Sequence, residues 1–242
     1  MKIEDKFIGN IHYKFFLPAE KPNKVLVTIH GFAGDSDSST IYALAQHLTQ
    51  SNTLVVAFDL PCHGKDKSSG DLVLQDCFDY LLNVVNYVKT TYTDCSLSFF
   101  ATSFGGYILL NNLNKIGDID HIILKSPAIF MDEVLKNLLQ KNGFSVQDLE
   151  KNHIDLGFER PLFVNYKFLT DLSANSLKHK KFAQYIDIIQ GDRDDVVDIY
   201  SNEEFYKQNC LDYSLHYIKG ADHRFKNVGE LDKIIKIVDE IL

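Results

Sequence analysis

Ser103 stands in a sequence setting that could make its hydroxyl a nucleophile. An apolar run at residues 97–101 predicts a short buried strand, and residues 107–110 have the apolar spacing of a helix. A serine at the corner where a strand turns directly into a helix presents its hydroxyl at the edge of the sheet, provided that its flanking positions are small. Ala101 and Gly105 meet this condition. The alternative is that Ser103 only caps the helix.

A serine hydroxyl becomes reactive when an imidazole can take its proton and a carboxylate orients that imidazole. Two later strand ends offer these groups. The strand predicted at residues 214–218 leads to His223 on a short loop. The strand predicted at residues 185–190 ends at Gly191 and is followed by a group of carboxylates (Asp192, Asp194, Asp195 and Asp198). The residues alone leave the choice among these four open.

The charge that develops on a carbonyl oxygen during acyl transfer requires hydrogen-bond donors that are fixed in advance. The backbone N–H of Phe104 is one candidate, because it opens the predicted helix, where the helix dipole adds positive potential. The N–H of Phe32 is the expected second donor, since it lies in the loop after a buried strand at residues 25–29. We therefore expect both N–H groups to form an oxyanion hole beside Ser103.

Composition is typical of one globular domain and excludes several classes of partner. The 242 residues are 45% hydrophobic and 24% charged, which allows a full core. Net charge is −8 and the densest basic cluster, residues 178–181, is short, so we expect no nucleic-acid partner. No apolar run reaches the ~18 residues of a membrane span, and the N-terminus lacks the apolar region of a signal peptide. We expect a cytoplasmic protein without a membrane span, and homodimer formation is left open.

Cysteine and histidine usage predicts neither a metal site nor a cofactor. The cysteines are scattered without metal-ligand spacing, and we expect all of them to be free thiols (Cys62, Cys77, Cys95 and Cys210). His30 and His63 could in principle ligate a metal or act as bases. The simpler expectation is that His30 orients the loop of Phe32, while His63 braces the loop after Asp59.

Apolar periodicity predicts strands that alternate with helices. This alternation predicts an α/β fold, with a mostly parallel central sheet and helices on both faces. The expected strands are residues 3–8, 11–17, 25–29, 54–58, 97–101, 122–124, 185–190 and 214–218. The expected helices are residues 40–50, with Ser38 or Ser39 as cap, 72–92, the segment after Ser103, 133–140, 200–208 and a last helix at 231–241.

The alternation is interrupted between residues 129 and 182. A segment of this length between two strands predicts a functional insertion over the ligand-binding edge of the sheet, that is, a cap. The α/β core would then comprise residues 1–128 and 183–242. Aromatic residues of the insertion could line a substrate pocket or only form its own core; the main candidates are Phe130, Phe163 and Tyr166, and the wider set adds Phe144, Phe158 and Phe168. Asp132 is expected to cap the first helix of the insertion.

Four stretches together resemble a known family. These are the His30-Gly31-Phe32 motif, residues 59–64, the turn around Ser103 and residues 221–223. Their types and order are similar to those of α/β-hydrolase superfamily serine hydrolases, and in particular to small capped esterases such as the cinnamoyl/feruloyl esterases, the monoacylglycerol lipases and the serine aminopeptidase-like hydrolases. The resemblance covers essentially the whole chain. Ala101, Thr102 and Asp198 depart from the usual pattern, and none of these departures removes a catalytic group.

The resemblance implies a role for each candidate. Ser103 would be the nucleophile, His223 the general base and Asp194 the acid, with the N–H groups of Phe32 and Phe104 forming the oxyanion hole. Asp194 is preferred over Asp195 because the family's acid lies three residues after the strand-ending glycine.

The implied activity is hydrolysis of carboxylic esters through an acyl-enzyme, without metal or cofactor. The substrate would be a small-molecule ester with a small to medium acyl group or an aromatic acid. A thioesterase, an amidase or peptidase and a C–C bond hydrolase are alternatives that use the same residues. A catalytically silent binding protein with this fold is the alternative from another class.

Overall fold

A sheet of eight strands lies at the centre of the computed structural model, which describes residues 1–156 and 160–242. Phe158, one of the wider set of aromatic candidates, falls outside these residues. Within them the strand order is β1-β2-β4-β3-β5-β6-β9-β10. The strands are β1 (Lys2–Ile8), β2 (Ile11–Leu17), β3 (Lys24–Ile29), β4 (Thr53–Phe58), β5 (Ser96–Thr102), β6 (Ile122–Lys125), β9 (Ile186–Gly191) and β10 (Tyr213–Ile218).

The sheet is mostly parallel, as the sequence predicts. All neighbours from β4 to β10 run parallel, whereas β1 pairs antiparallel with β2 and β2 antiparallel with β4. Strands β4, β6 and β9 are buried along their whole length. Their mainly apolar sequences fit this position, because a strand covered on both faces has no side facing solvent, and the polar residues Lys125, Asp187 and Gln190 are buried with them.

Helices cover both faces of the sheet. One face packs against α1 (Ser39–Leu48) and α8 (Glu230–Ile241). The other packs against α2 (Leu74–Thr91), α3 (Phe104–Ile116) and α7 (Ile199–Asn209). The predicted α/β class is therefore confirmed. Helix α1 ends earlier than expected and is followed by a 3₁₀ turn, Thr49–Ser51.

The segment between β6 and β9 is called the insert. The sequence predicts at least one helix in it, at residues 133–140, and its described residues contain further elements. Its elements are α4 (Met131–Lys141), α5 (Val146–Lys151), β7 (Ile154–Asp155), β8 (Phe163–Val164) and α6 (Tyr166–Ala174). Helix α6 packs against α2 and α4, and the hydroxyl of Tyr107 in α3 donates to the backbone oxygen of Leu172 in α6 at 3.0 Å. The insert is thus joined to the core helices.

Arg160 of the insert makes a second connection to the core. Its guanidinium donates to the backbone oxygens of four residues in one loop, at 2.6–3.0 Å (His63, Gly64, Asp66 and Ser68). A guanidinium presents several donors in a fixed fork, which suits a loop whose carbonyls converge. This one side chain therefore holds the loop between β4 and α2 against the insert.

Two expected helix caps differ from the structure. Asp132 was expected to cap α4, but the cap position is Phe130, and Asp132 lies inside the first turn. Its carboxylate accepts from Lys136 at 3.0 Å, one turn further along the helix. Ser38 occupies the cap position of α1 without a hydrogen bond from its side chain. A carboxylate in the first turn of a helix is stabilising because it interacts favourably with the helix dipole, and a carboxylate at the cap position is stabilising too. The sequence pattern therefore does not distinguish a cap residue from a residue of the first turn.

The four cysteines are unpaired, as expected. Within the described residues no helix is both long enough and apolar enough to cross a membrane.

Candidate active site

Ser103 sits on a strained turn between β5 and α3. Its backbone dihedrals are φ 51° and ψ −114°, a conformation that non-glycine residues rarely adopt. The turn is held by hydrogen bonds, since the N–H of Ser103 donates to the oxygen of Lys125 at 2.9 Å and its oxygen accepts from Gly106 at 2.9 Å. Gly105 is required here because a Cβ would lie 2.5 Å from the oxygen of Ile29. The sequence predicts that position 105 must be small, and the structural reason is the close approach of the Ile29 oxygen.

The side chains of Ser103, His223 and Asp194 form a hydrogen-bonded series. Nε2 of His223 lies 3.0 Å from Oγ of Ser103, and Nδ1 lies 2.8 Å from Oδ2 of Asp194. A carboxylate can only accept, so Nδ1 carries a proton and Nε2 is left to accept the proton of Ser103. The three residues come from turns after β5, β9 and β10, at the carboxyl edge of the sheet.

Asp194 is held as an anion by several donors. Its Oδ1 accepts from the N–H groups of Val196 and Val197 at 2.9 and 3.0 Å, and its Oδ2 accepts from Nε2 of Gln190 at 2.8 Å. Burial alone would raise the pKa of Asp194, but the hydrogen bond and charge of His223 and the two N–H groups lower it to about 2. The structure therefore brings an ionised Asp194 to His223.

Asp195, the rival carboxylate, is not the one at His223. The described contact of this residue is through its backbone oxygen, which accepts from Nζ of Lys141 at 3.1 Å. Asp192 accepts from the N–H of Gly220, and Asp198 caps α7. The choice that the sequence left open thus has a geometric answer.

The loop after β3 packs directly on the nucleophile turn. A Cβ on Gly31 would lie 3.2 Å from Cβ of Ser103, so the backbone that leads into Phe32 passes next to the serine. His30 fixes this loop as expected, with Nδ1 donating to the oxygen of Gly31 at 2.8 Å and Nε2 accepting from the N–H of Leu60 at 3.0 Å. Phe104 opens α3, where an N–H has no acceptor within the helix.

Aromatic rings join this loop to the insert. The ring of Phe32 lies edge-on to that of Phe104 with centroids 5.7 Å apart. Phe168 in α6 stacks on Phe32 at 6.4 Å and lies edge-on to Phe104 at 6.2 Å. Both predicted oxyanion-hole residues therefore contact the same buried aromatic side chain of the insert.

The three main pocket candidates have other surroundings. Phe130 packs edge-on against Phe205 of α7, with centroids 6.2 Å apart. Phe163 and Tyr166 are exposed, and the backbone oxygen of Phe163 accepts from the N–H of Leu72 at 2.8 Å. Phe168, from the wider set of aromatic candidates, does reach the loop of Phe32.

His63 braces its own loop, as expected, with Nδ1 donating to the oxygen of Pro61 at 2.8 Å. Burial and the neighbouring His30 lower the pKa of His63 to about 3, so its ring is neutral. The described residues include no group of side chains that could hold a metal ion.

Sequence reasoning missed Gln190 and Lys125. Both are buried polar residues in the last positions of strands next to the site. The sequence did contain a signal, namely a glutamine or lysine near the end of a mainly apolar strand. Such a residue is buried together with the strand, and a buried polar group is costly unless it is hydrogen-bonded or paired.

Comparison with known proteins identifies a family. The profile described as serine aminopeptidase, S33 matches residues 20–158, more than half of the chain. The matched span includes Ser103 and ends before Asp194 and His223. No curated protein matches the chain significantly.

Solved structures share the fold. Est1E from Butyrivibrio proteoclasticus, with ferulic acid bound, is 23% identical, with a TM-score of 0.79 over 95% of this chain and 93% of that chain. An Agrobacterium vitis putative hydrolase is 17% identical, with a TM-score of 0.80 over 100% and 99%. The mouse alpha/beta hydrolase domain-containing protein 10 is 14% identical, with a TM-score of 0.77 over 99% and 98%. The chain therefore belongs to the serine aminopeptidase S33 family, as a serine hydrolase of the α/β-hydrolase superfamily.

Proposed function

We propose that this protein hydrolyses carboxylic esters, with Ser103 as nucleophile, His223 as general base and Asp194 as the acid that orients it. The observation that carries the proposal is the distance of 3.0 Å between Oγ of Ser103 and Nε2 of His223, together with the ionised carboxylate on the other nitrogen. In this arrangement the imidazole accepts the serine proton as the oxygen attacks the ester carbonyl, and Asp194 stabilises the imidazolium that forms.

The negative charge on the former carbonyl oxygen would be stabilised by the N–H groups of Phe32 and Phe104. Support comes from the packing of Gly31 on Ser103 and from the place of Phe104 at the start of α3. His223 then returns the proton to the leaving alcohol, which leaves the acyl group on Ser103. A water molecule deprotonated by His223 completes the cycle.

The insert would act as a cap over this site and would contact the acyl or alcohol part of the substrate. The stacking of Phe168 on Phe32 supports contact between the insert and the oxyanion loop. Small to medium acyl groups or aromatic acids are the proposed substrates, and the ferulic acid bound to the structurally similar Est1E suggests aromatic esters as the first to try.

The first experiment is intact mass after incubation with a fluorophosphonate, which labels activated serines. Wild type is expected to gain one adduct, and Ser103→Ala and His223→Ala none or almost none. The control Ser173→Ala removes an exposed hydroxyl of α6 that bonds Leu169 and Asp132 and should label like wild type. An unlabelled wild type would contradict the proposal and favour a ligand-binding protein with this fold.

A substrate panel then separates the chemistry. The same acyl group is presented as an ester, a thioester and an amide. The amide is included because the family is described as serine aminopeptidase. The proposal expects the highest kcat/KM for the ester. A preference for the amide or the thioester at matched acyl groups would reassign the protein while leaving the roles of Ser103 and His223 intact.

A further inference from the structure

Lys125 is a buried lysine to which the proposed reaction gives no part. It ends β6 after three apolar residues and is only 4% exposed. Lysines are almost never this deeply buried unless they are paired. Within residues 1–156 and 160–242 the contact that its Nζ makes is with the ring of Phe225, 4.4 Å from the centroid, and no hydrogen bond or ion pair accompanies it.

This residue touches both halves of the candidate site. Its backbone oxygen accepts the N–H of Ser103 at 2.9 Å, and its side chain reaches Phe225, two residues after His223. Phe225 has a φ of 56°, a left-handed conformation that is costly for an aromatic residue and persists only where its surroundings hold it. Lys125 thus links the turn of the nucleophile to the loop of the base.

The charge of Lys125 is costly where it lies. Burial lowers its pKa to about 8, against the opposing attraction of two carboxylates, Asp194 after β9 and Asp222 after β10. Between this value and the ordinary 10.5 the unfolded chain binds more protons than the folded one, so folding stability rises with pH through this window. Below it, the folded protein carries a poorly solvated ammonium, whereas an apolar side chain of similar length would not incur that cost.

We propose that Lys125 is a positioning residue of the hydrolase, whose ammonium holds the loop of His223 at hydrogen-bonding distance from Ser103. The ammonium is attracted to the face of the Phe225 ring, which it contacts, and to the charges of Asp194 and Asp222. Loss of its proton at alkaline pH removes these attractions and loosens the loop. The inference rests on the proposed function, because it gives Lys125 a role through His223.

The test is the rate of fluorophosphonate labelling of Ser103 from about pH 6 to about pH 10. Wild type should label more slowly above about pH 8, as Lys125 loses its proton. Lys125→Met should label about 5- to 30-fold more slowly near neutral pH, without that alkaline decline. Lys125→Arg, which stays protonated, should recover most of the rate and move the decline beyond the range. Lys89→Met, which removes an amine bonded to Ile116 on the core helices, is the control and should follow wild type.

The temperature of thermal unfolding distinguishes a positioning role from a merely structural one, because replacing a lysine that only stabilises the fold would lower Tm. Because Lys125→Met removes a buried charge, it should raise Tm by about 3–8 °C near neutral pH while slowing labelling. Labelling at the wild-type rate with the alkaline decline intact would overturn the inference, and so would a lower Tm. No labelling of wild type at any pH would instead overturn the proposed function, and this inference with it.

Discussion

At the scale of single residues, the candidate site is specified by which atoms accept and which donate. Oδ1 of Asp194 is occupied by the N–H groups of Val196 and Val197, so Oδ2 is the atom that faces His223 most closely. This arrangement fixes the tautomer of the imidazole with its proton on Nδ1. In the proposed mechanism the reactivity of Ser103 would therefore depend on a carboxylate, Asp194, that does not contact it.

Replacing Asp194 by asparagine should change the tautomer of the His223 imidazole. In Asp194→Asn the amide oxygen would take the two backbone N–H groups, and the NH₂ group would face His223 and force the proton onto Nε2. We expect kcat to fall by about 10³- to 10⁴-fold with the fold intact, measured with an activated ester. Asp195→Asn is the matched control and should retain activity; an inactive Asp195→Asn with an active Asp194→Asn would contradict the assignment.

The low pKa of Asp194 limits its part in the acid behaviour of the enzyme. Since the pKa of Asp194 is about 2, this residue remains ionised throughout the mildly acidic range. Protonation of Asp194 should therefore cause no loss of kcat between about pH 7 and about pH 4. The pKa of this carboxyl can be measured by NMR, and a value at or above the ordinary one for aspartate would contradict the prediction.

Gly105 is the residue on which the turn of Ser103 depends sterically. In Gly105→Ala the new Cβ would approach the oxygen of Ile29 to 2.5 Å, so the turn or β3 has to move. We expect a loss of about 1–3 kcal/mol in the free energy of unfolding, seen as a Tm lower by several degrees, and little fluorophosphonate labelling. Gly143→Ala, at an open position outside the site, should lose some stability through its positive φ but label normally. Normal labelling of Gly105→Ala would show that the turn tolerates the shift.

At the scale of elements, the insert is connected to the core by polar as well as aromatic contacts. Arg160 binds four backbone oxygens between residues 63 and 68, and this loop also contains the backbone hydrogen bond from Asp66 to His63. The loop follows β4 and adjoins the loop of Phe32 through the rings of His63 and Phe32, with centroids 6.0 Å apart. The insert is thus connected, through the loop between β4 and α2, to the loop of Phe32.

Arg160→Lys should loosen this connection without removing the positive charge. A lysine presents a single ammonium and cannot reach the four oxygens that the planar guanidinium binds. We expect hydrogen exchange of the N–H groups in residues 60–70 to accelerate by about tenfold, measured by mass spectrometry, while exchange in α8 is unchanged. Arg193→Lys, in the loop after β9, is the control. Unchanged exchange at residues 60–70 would mean that the aromatic contacts suffice.

The elements differ in how far the sequence predicts them. Strands β3 and β5 are continuous apolar runs next to glycines, and the hairpin of β1 and β2 has its turn signal at Gly9, so short-range patterns predict them within one or two residues. The insert does not follow such patterns, because α5 has six residues and β7 and β8 have two each. Elements this short are stabilised by packing on the rest of the chain and not by their own periodicity.

The site was predictable to the same extent. Ser103 and His223 stand at strand ends that the pattern identifies, and the structure brings them together. Asp194 could be separated from Asp195 only by resemblance, since the two are adjacent and lie three and four residues after Gly191, the last residue of β9. Lys125 could not be assigned at all, because its partner ring lies 100 residues away along the chain and no local pattern records that contact.

At the scale of the whole molecule, buried carboxylates make stability depend on pH. Asp59 is fully buried and accepts from the N–H groups of Ser36 and Lys65 and from Nδ1 of His12, at 2.7–2.8 Å. Burial would raise its pKa, but the two N–H groups, the charge of His30 and the Ser36 side chain together lower it below the ordinary value. A carboxyl whose pKa is lowered on folding stabilises the protein above the unfolded value and loses that contribution as the pH falls towards the folded value.

Tm should therefore be nearly constant from about pH 7 to about pH 5 and fall steeply below about pH 4. In Asp59→Asn, Tm should be lower near neutral pH and decline less steeply in acid, because the titrating group is gone. Asp94→Asn, which removes an exposed carboxylate paired with Lys21, should follow wild type. Calorimetry at a series of pH values measures this, and equal acid slopes for Asp59→Asn and wild type would contradict it.

The wide separation of the site residues along the chain has a consequence during synthesis. Ser103 leaves the ribosome first, and His223 follows 120 residues later, after roughly 6 to 24 s at ordinary elongation rates. During that interval the growing chain gains the insert and then Asp194, but it lacks His223 until the end. On the proposed function, a nascent or prematurely terminated chain that lacks His223 is expected to be inactive towards esters, and hydrolysis is expected to begin only when the last two strands of the sheet have joined it.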